Sequence, residues 1–317
     1  MHPAASVIAF TTLSGAGYGL LVWLGLLVAF GQAGRSPALV LTALLLGGML
    51  VGAGLLASLA HLGRPERAWR AFSQWRTSWL SREGVAAVAS FVPIAGLGWA
   101  VLSGAAPAWR DGFALALVPA ALVTLVCTAR IYDTLRPIPA WHNRWVLPGF
   151  LALAAASGGA LLWALGVLAF ALPPHRGDGF VLLVLLALAA AVKWAYWRHI
   201  DRHPGGVAAA AALALPAGSA VRSFEAPHTE ANFLMREMGF ALARKHGARL
   251  RRVCLALLVG LPALALVASW LWPGARPAVA ALVAGSVLVA TALERWLFFA
   301  QARHLVTTWY SPERPWV

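Results

Sequence analysis

Charge is scarce in this chain: Asp, Glu, Lys and Arg make up only 11% of its 317 residues, hydrophobic residues make up 61%, and the mean hydropathy is +0.74. A soluble domain carries about 25% charged residues, so the shortage excludes an ordinary soluble globular protein and predicts a polytopic membrane protein. Cysteine is scarcer still. Cys127 and Cys254 are the only two, too few for a disulfide framework, a CxxC metal site or an iron–sulfur cluster. No histidine falls deep inside an apolar run, whereas a b-type haem in a helix bundle needs axial histidines projecting from helix interiors. No haem is therefore expected, and any redox chemistry would have to use a bound organic carrier.

What is abundant is long apolar sequence. A helix needs about 20 apolar residues to cross roughly 30 Å of hydrocarbon, and eight segments qualify: Ser6 to Gly31, Ala38 to Ala60, Gly84 to Ser103, Gly112 to Arg130, Trp145 to Phe170, Gly179 to Trp197, Val253 to Trp272 and Pro277 to Phe298. The fold class expected is all-α, an eight-transmembrane-helix bundle forming a single membrane domain over residues 1–317. The first segment lacks a basic n-region and a clear small-residue cleavage site, and is read as a span rather than a signal peptide. A ninth uncharged stretch, Gly205 to Val221, is mostly alanine interrupted by Pro216, and is expected to be a loop. The 16 tryptophans suit a bilayer, because indole settles at its water boundary.

The few charges are one-sided. With eight spans both termini share a face, and that face carries twenty of the 25 basic residues, including nine between Arg198 and Arg252 and three at Arg295, Arg303 and Arg314. Arg35, Arg110, Arg176 and Arg276 fall on the other face, and Lys193 falls within a span. By the positive-inside rule both termini are cytoplasmic. The net charge of +14 thus reports orientation and a docking surface, with no nucleic-acid partner implied. Eight of the nine histidines lie on the same basic face, only His175 on the other.

At that face, residues 61–83 join the second and third spans with His61, Arg64, Arg67 and Glu83 around Trp69, Phe72, Trp75 and Trp79. The aromatic spacing of three, three and four predicts a short interfacial helix with one aromatic face, and Pro65 suits its first turn. A quinone has an isoprenoid tail that stays in lipid and a head whose carbonyls need donors and a proton route at the membrane edge. His61 can donate to a carbonyl or take a proton near neutral pH, and Glu83, opening the third span, can pass protons to or from water. Plainer readings stand beside this one. His61 can cap backbone carbonyls, Glu83 can pair with Arg82, the arginines can set topology and touch lipid phosphates, and the aromatics can anchor the interface.

Several blocks carry a family resemblance: Met1-His2-Pro3-Ala4 through Ser14-Gly15-Ala16-Gly17-Tyr18-Gly19, His61-Leu62-Gly63-Arg64-Pro65-Glu66-Arg67-Ala68-Trp69 with Ser81-Arg82-Glu83, Ala129-Arg130-Ile131-Tyr132, Ile138-Pro139-Ala140-Trp141-His142-Asn143, and Phe224-Glu225-Ala226-Pro227-His228 followed by Asn232 to Gly239. Nearly end to end, the chain resembles the DmsC family, the membrane anchor subunits of dimethyl sulfoxide reductase. The resemblance implies eight transmembrane helices, no haem, and a multi-pass place in the bacterial inner membrane. It also implies two partners, an iron–sulfur electron-transfer subunit and a molybdopterin catalytic subunit, which hold the clusters and the molybdopterin. Electrons would pass between the iron–sulfur partner and the quinone pool, menaquinone or ubiquinone. His61 falls on the family's quinol-binding histidine, Glu83 on the acidic residue opening its third helix, and Arg130 and Tyr132 on an Arg-x-Tyr pattern that would wall the site. The long basic linker over residues 198–252 resembles the branch that includes the sulfite dehydrogenase anchor, so the complex's substrate stands open between an S-oxide and sulfite.

The expectation is a quinone-reactive anchor whose site comprises His61, Glu83, Arg64, Arg67, Arg130 and Tyr132, with membrane lipid around it. The alternatives are an anchor without a quinone site and an ion or solute transporter. Transporters place ionisable groups near the midplane, whereas Lys193 and Glu294 are expected close to the basic-face ends, where a lysine can snorkel to water.

Overall fold

A computed structural model describes residues 4–31, 36–60, 62, 64–170, 176–203, 215, 216, 219 and 241–305. Within them the chain is helical, with no strand, and eight helical spans are long and apolar enough to cross a membrane. The helices are α1 (Ala5–Ala29), α2 (Pro37–Leu59), a 3₁₀ helix (Pro65–Gln74), α3 (Trp79–Leu102), α4 (Pro107–Asp133), α5 (Val146–Phe170), α6 (Arg176–Arg202), α7 (Ala241–Leu255), α8 (Leu261–Leu271) and α9 (Arg276–Ala300). A π-helical turn at Ala256–Gly260 joins α7 to α8, and the two form one span over Lys245–Leu271.

Local sequence sets the ends. Ser36 accepts from the Leu39 amide at 3.2 Å and proline occupies the first turn of α2, and the same proline placement opens α4 and the 3₁₀ helix, where a missing N–H costs nothing. Gly104 follows α3 with a φ of 64°, the left-handed conformation that closes a helix cheaply only at glycine. The helices overrun the charge-free stretches. Ser78 caps α3, so that helix begins at Trp79 rather than at Gly84, and Glu83 lies inside its second turn.

α1 is the hub. Its Tyr18, Leu20, Leu21, Leu24 and Val28 pack with Val40, Ala43 and Val51 of α2, Ala114, Leu117 and Ala121 of α4, and Ala154 of α5. Between lipid-bathed helices no water is expelled by association, so close backbone packing has to supply the attraction. Gly19 and Gly158 supply it between α1 and α5: a Cβ on Gly158 would fall 2.1 Å from the Gly19 carbonyl carbon. A second cluster joins α5, α6, α8 and α9 through Ala156, Leu186, Leu266 and Val283. Leu56, Val92, Leu115, Leu188, Leu264 and Val289 face outward and exposed, a pattern that would aggregate in water and fits a lipid surround.

Candidate functional site

The junction between the second and third spans folds back on α3. The 3₁₀ helix has about three residues per turn, so Trp69, Phe72 and Trp75 fall along one edge, and all three are exposed. Three contacts tie it down. Phe72 stands where a Cβ on Gly84 would come 3.2 Å from its ring, and the Ser81 hydroxyl donates to the Ala71 carbonyl. Arg82 donates from Nε to the Trp75 carbonyl (3.0 Å) and from Nη2 to that of Arg76 (2.6 Å), with its guanidinium 4.3 Å from the centre of the Trp79 ring. Arg82 therefore satisfies carbonyls at the end of the short helix and does not pair with Glu83.

Glu83 turns the other way, into the bundle. It is 5% exposed, and its Oε1 accepts from the Thr128 hydroxyl of α4. Thr128 also lies 3.1 Å from the Thr124 carbonyl, so its single proton has two acceptors and serves one at a time. Deeper along the same helix faces, Ser90 of α3 meets the Tyr18 hydroxyl at 3.2 Å, with Thr124 beside it. Hydroxyls thus descend from Glu83 into an otherwise apolar interior, where every polar group needs an internal partner.

The structure brings only part of the expected residue set together. Arg64, just before the 3₁₀ helix, and Arg67 within it are exposed. Arg130 is exposed at the end of α4 and pairs with Asp133 at 3.1 Å. Tyr132 is buried, with ring centroids 5.4–5.8 Å from those of Trp141, Phe150, Phe298 and Phe299, and is near enough to Glu83 and Arg295 to feel both charges. His61 lies outside the described residues, between Ala60, which ends α2, and Leu62. His2, His175, Arg35, the blocks from Phe224 to Gly239 and most of Gly205 to Val221 lie outside them too.

Two expectations fail. Lys193 does not snorkel: it stands nine residues before the end of α6, about 14 Å of helix, is 2% exposed, and its Nζ pairs with Glu294 Oε1 of α9. Arg295 is no part of the basic surface either. It is 2% exposed, its Nε donates to Glu294 Oε2 at 2.6 Å, its Nη2 lies 2.5 Å from the same oxygen, and its Nη1 has no hydrogen-bond partner. Burying a cation in lipid costs several kcal/mol unless it is paired, and the carboxylate between the two lowers that cost. Aromatic faces lower it further, with Lys193 Nζ 3.8 Å above Tyr196 and Arg295 Cζ 4.0 Å above Phe150. The signal was present in the sequence as opposite charges at Lys193 and Glu294–Arg295 inside two apolar spans.

A narrow cavity lies between α1, α4, α5 and α9, lined by Thr11, Ser14, Gly15, Thr128, Ser157, Thr291 and Arg295 among apolar neighbours. Its wall therefore includes both the hydrogen-bond partner of Glu83 and the outer member of the three-charge cluster. No group of three or more His, Cys, Asp or Glu capable of holding a metal ion occurs among the described residues.

The C subunit of the sulfite dehydrogenase of Allochromatium vinosum is 34% identical over 328 aligned residues, covering 98% of this chain and 99% of that one. Its counterpart in the anaerobic dimethyl sulfoxide reductase of Escherichia coli is 31% identical over 146 residues, 45% of this chain and 49% of that one. The anaerobic dimethyl sulfoxide reductase protein YnfH of the same organism is 32% identical over 148 residues, again 45% and 49%. The family model for the DMSO reductase anchor subunit matches residues 1–300. With eight apolar helical spans and a match over nearly its whole length, the protein belongs to the DmsC family of multi-pass membrane anchor subunits.

Proposed function

We propose that this protein is the quinone-reactive membrane anchor of a molybdopterin iron–sulfur oxidoreductase, passing electrons between the quinone pool and an iron–sulfur partner subunit. Glu83 carries the proposal: a carboxylate buried a few residues below the membrane edge, held by a hydroxyl and next to an aromatic interfacial helix. The quinone head docks at the junction of the second and third spans that His61 and Glu83 bracket in sequence, and its tail leaves into lipid. Oxidation of a quinol releases two electrons and two protons. The electrons go to the nearest cluster of the iron–sulfur subunit, and His61 and Glu83 receive the protons. In a sulfite-oxidising complex the same steps run in reverse and reduce a quinone.

Both termini and the basic linkers face the cytoplasm of a bacterial inner membrane, by the bias of arginine and lysine toward one face. The iron–sulfur and molybdopterin subunits dock on that face, because electron transfer requires a cluster close to the quinone. The near full-length relative named for sulfite dehydrogenase favours sulfite over an S-oxide as the complex's substrate.

The test is quinone turnover by the assembled complex carrying Glu83→Gln. Loss of a positioned acid–base group lowers the rate by about 10²-fold or more, with the partners still bound. Undiminished turnover would leave the protein a structural anchor.

A further inference from the structure

Among the described residues four charged side chains are buried, Lys193, Arg295, Glu294 and Glu83, and with all four ionised their charges sum to zero. Three of them form the cluster between α6 and α9, where one carboxylate faces two cations and one positive charge is left over. Glu83 is the fourth. It accepts from the Thr128 hydroxyl and pairs with no cation among the described residues, since Arg82 beside it binds the Trp75 and Arg76 carbonyls. The other titratable groups around it are Tyr18 of α1 and Cys127 and Tyr132 of α4, which are uncharged near pH 7. The surplus charge also lies toward Glu83. Arg295 lines the same cavity as Thr128, and its guanidinium packs on Phe150, whose ring stacks against Tyr132. Tyr132 is near enough to feel both charges. Aromatic rings and a cavity with room for one water screen a field poorly.

We propose that the Lys193–Glu294–Arg295 cluster is the counter-charge of Glu83, with Lys193 and Arg295 as positioning residues that act on the quinone reaction through Glu83 and without touching the quinone. The proposal rests on the reading of Glu83 as a proton-exchanging group. Burial in lipid disfavours a lone carboxylate, and it disfavours a surplus cation in the same way. When both are ionised, each offsets the other's penalty. Over roughly 10–15 Å, at an effective dielectric of about 20, one unit charge changes a group's proton affinity by about five- to fifteenfold. A proton taken by Glu83 from a quinol leaves the surplus cation uncompensated, which favours handing that proton on to water at the nearby membrane edge. In the reverse direction the same surplus favours proton transfer from Glu83 to a quinone that has received its electrons.

Lys193→Met and Lys193→Arg in the assembled complex separate charge from packing. Lys193→Met makes the cluster neutral, because Glu294 then faces Arg295 alone, and Lys193→Arg keeps the surplus. The readout is the carboxylic-acid C=O band in pH-difference infrared spectra, assigned to Glu83 by its absence in Glu83→Gln, so that titration of His61 does not enter. We expect the pH at which the band is half-developed to rise by about one unit in Lys193→Met. In Lys193→Arg it should return to within about 0.3 unit of the wild-type value. The sign follows from the charge removed: with one cation fewer the carboxylate is less favoured, and a higher pH is needed to ionise it. The pH profile of kcat with decylubiquinol or decylubiquinone, according to the direction the complex runs, should move the same way, with KM within about twofold. A midpoint unmoved in Lys193→Met, or moved equally in both variants, overturns the counter-charge, as does a loss of turnover that is the same at every pH. Should Lys193→Arg fail to assemble, Arg295→Lys supplies the charge-keeping variant. Full turnover in Glu83→Gln sinks the quinone-site reading itself, whereas an unmoved midpoint beside an inactive Glu83→Gln sinks only the counter-charge.

Discussion

Replacing Glu294 with glutamine would leave Lys193 and Arg295 facing a neutral amide, all three buried. The wild-type carboxylate serves both cations, one on each oxygen, so a single substitution breaks two ion pairs. Removing one partner of a buried pair costs about 3–5 kcal/mol, because the remaining charge keeps its desolvation penalty without compensation. Lys193→Met removes a cation instead and leaves Glu294 paired with Arg295, at a cost of no more than about 1–2 kcal/mol. The ranking therefore follows from which charge is lost, and the more conservative-looking substitution is the more damaging one. Cys127 and Cys254 are both free and buried, so a thiol-reactive fluorophore reports unfolding of the detergent-solubilised protein during a thermal ramp. The apparent midpoint should drop by something on the order of 5–10 °C in Glu294→Gln and by much less in Lys193→Met. An unchanged midpoint in Glu294→Gln, or a larger loss in Lys193→Met, would refute the electrostatic account of the cluster.

Further outcomes follow from individual contacts. Gly158→Leu should abolish accumulation of the folded protein in the membrane, because even a Cβ there would collide with the α1 backbone, while Gly15→Ala accumulates normally; immunoblots of membrane fractions compare the two. Thr128→Val takes the hydroxyl from Glu83 and should lower quinone turnover by about tenfold, with Thr128→Ser restoring most of it. Arg82→Leu removes the donors to the Trp75 and Arg76 carbonyls and should release the 3₁₀ helix from α3, seen as faster proteolysis between residues 64 and 78 with the spans intact.

Much of the architecture is legible from where charge is missing, because a bilayer permits few solutions: apolar runs of span length become helices that satisfy their own backbone. A short interfacial helix also follows from the aromatic spacing, but spacings of three and four suit an α-helix equally, and its 3₁₀ winding and the placing of Trp79 in α3 are seen only in the structure. The details at Glu83 are less accessible. Arg82 and Glu83 interrupt the apolar run, which in sequence starts at Gly84, yet Ser78 caps the helix earlier and the carboxylate is carried inside. The pairing within the charge cluster, as distinct from its charges, escapes the sequence for a different reason. Position within a span gives the distance of Lys193 from the helix end but not the direction of its side chain, and its partner lies 101 residues away on α9. Tyr132 shows the same limit: its adjacency to Arg130 in sequence says nothing of the aromatic residues from α5 and α9 that enclose it while Arg130 faces out.

The most direct test of a quinone site at this junction is to crosslink an azido-quinone to the assembled complex and map the labelled peptides. The account predicts labelling within residues 61–84 that an excess of unmodified quinone suppresses. Labelling that concentrates at the opposite ends of the helices, around Arg110 or Arg276, or that quinone does not suppress anywhere in the protein, would contradict it.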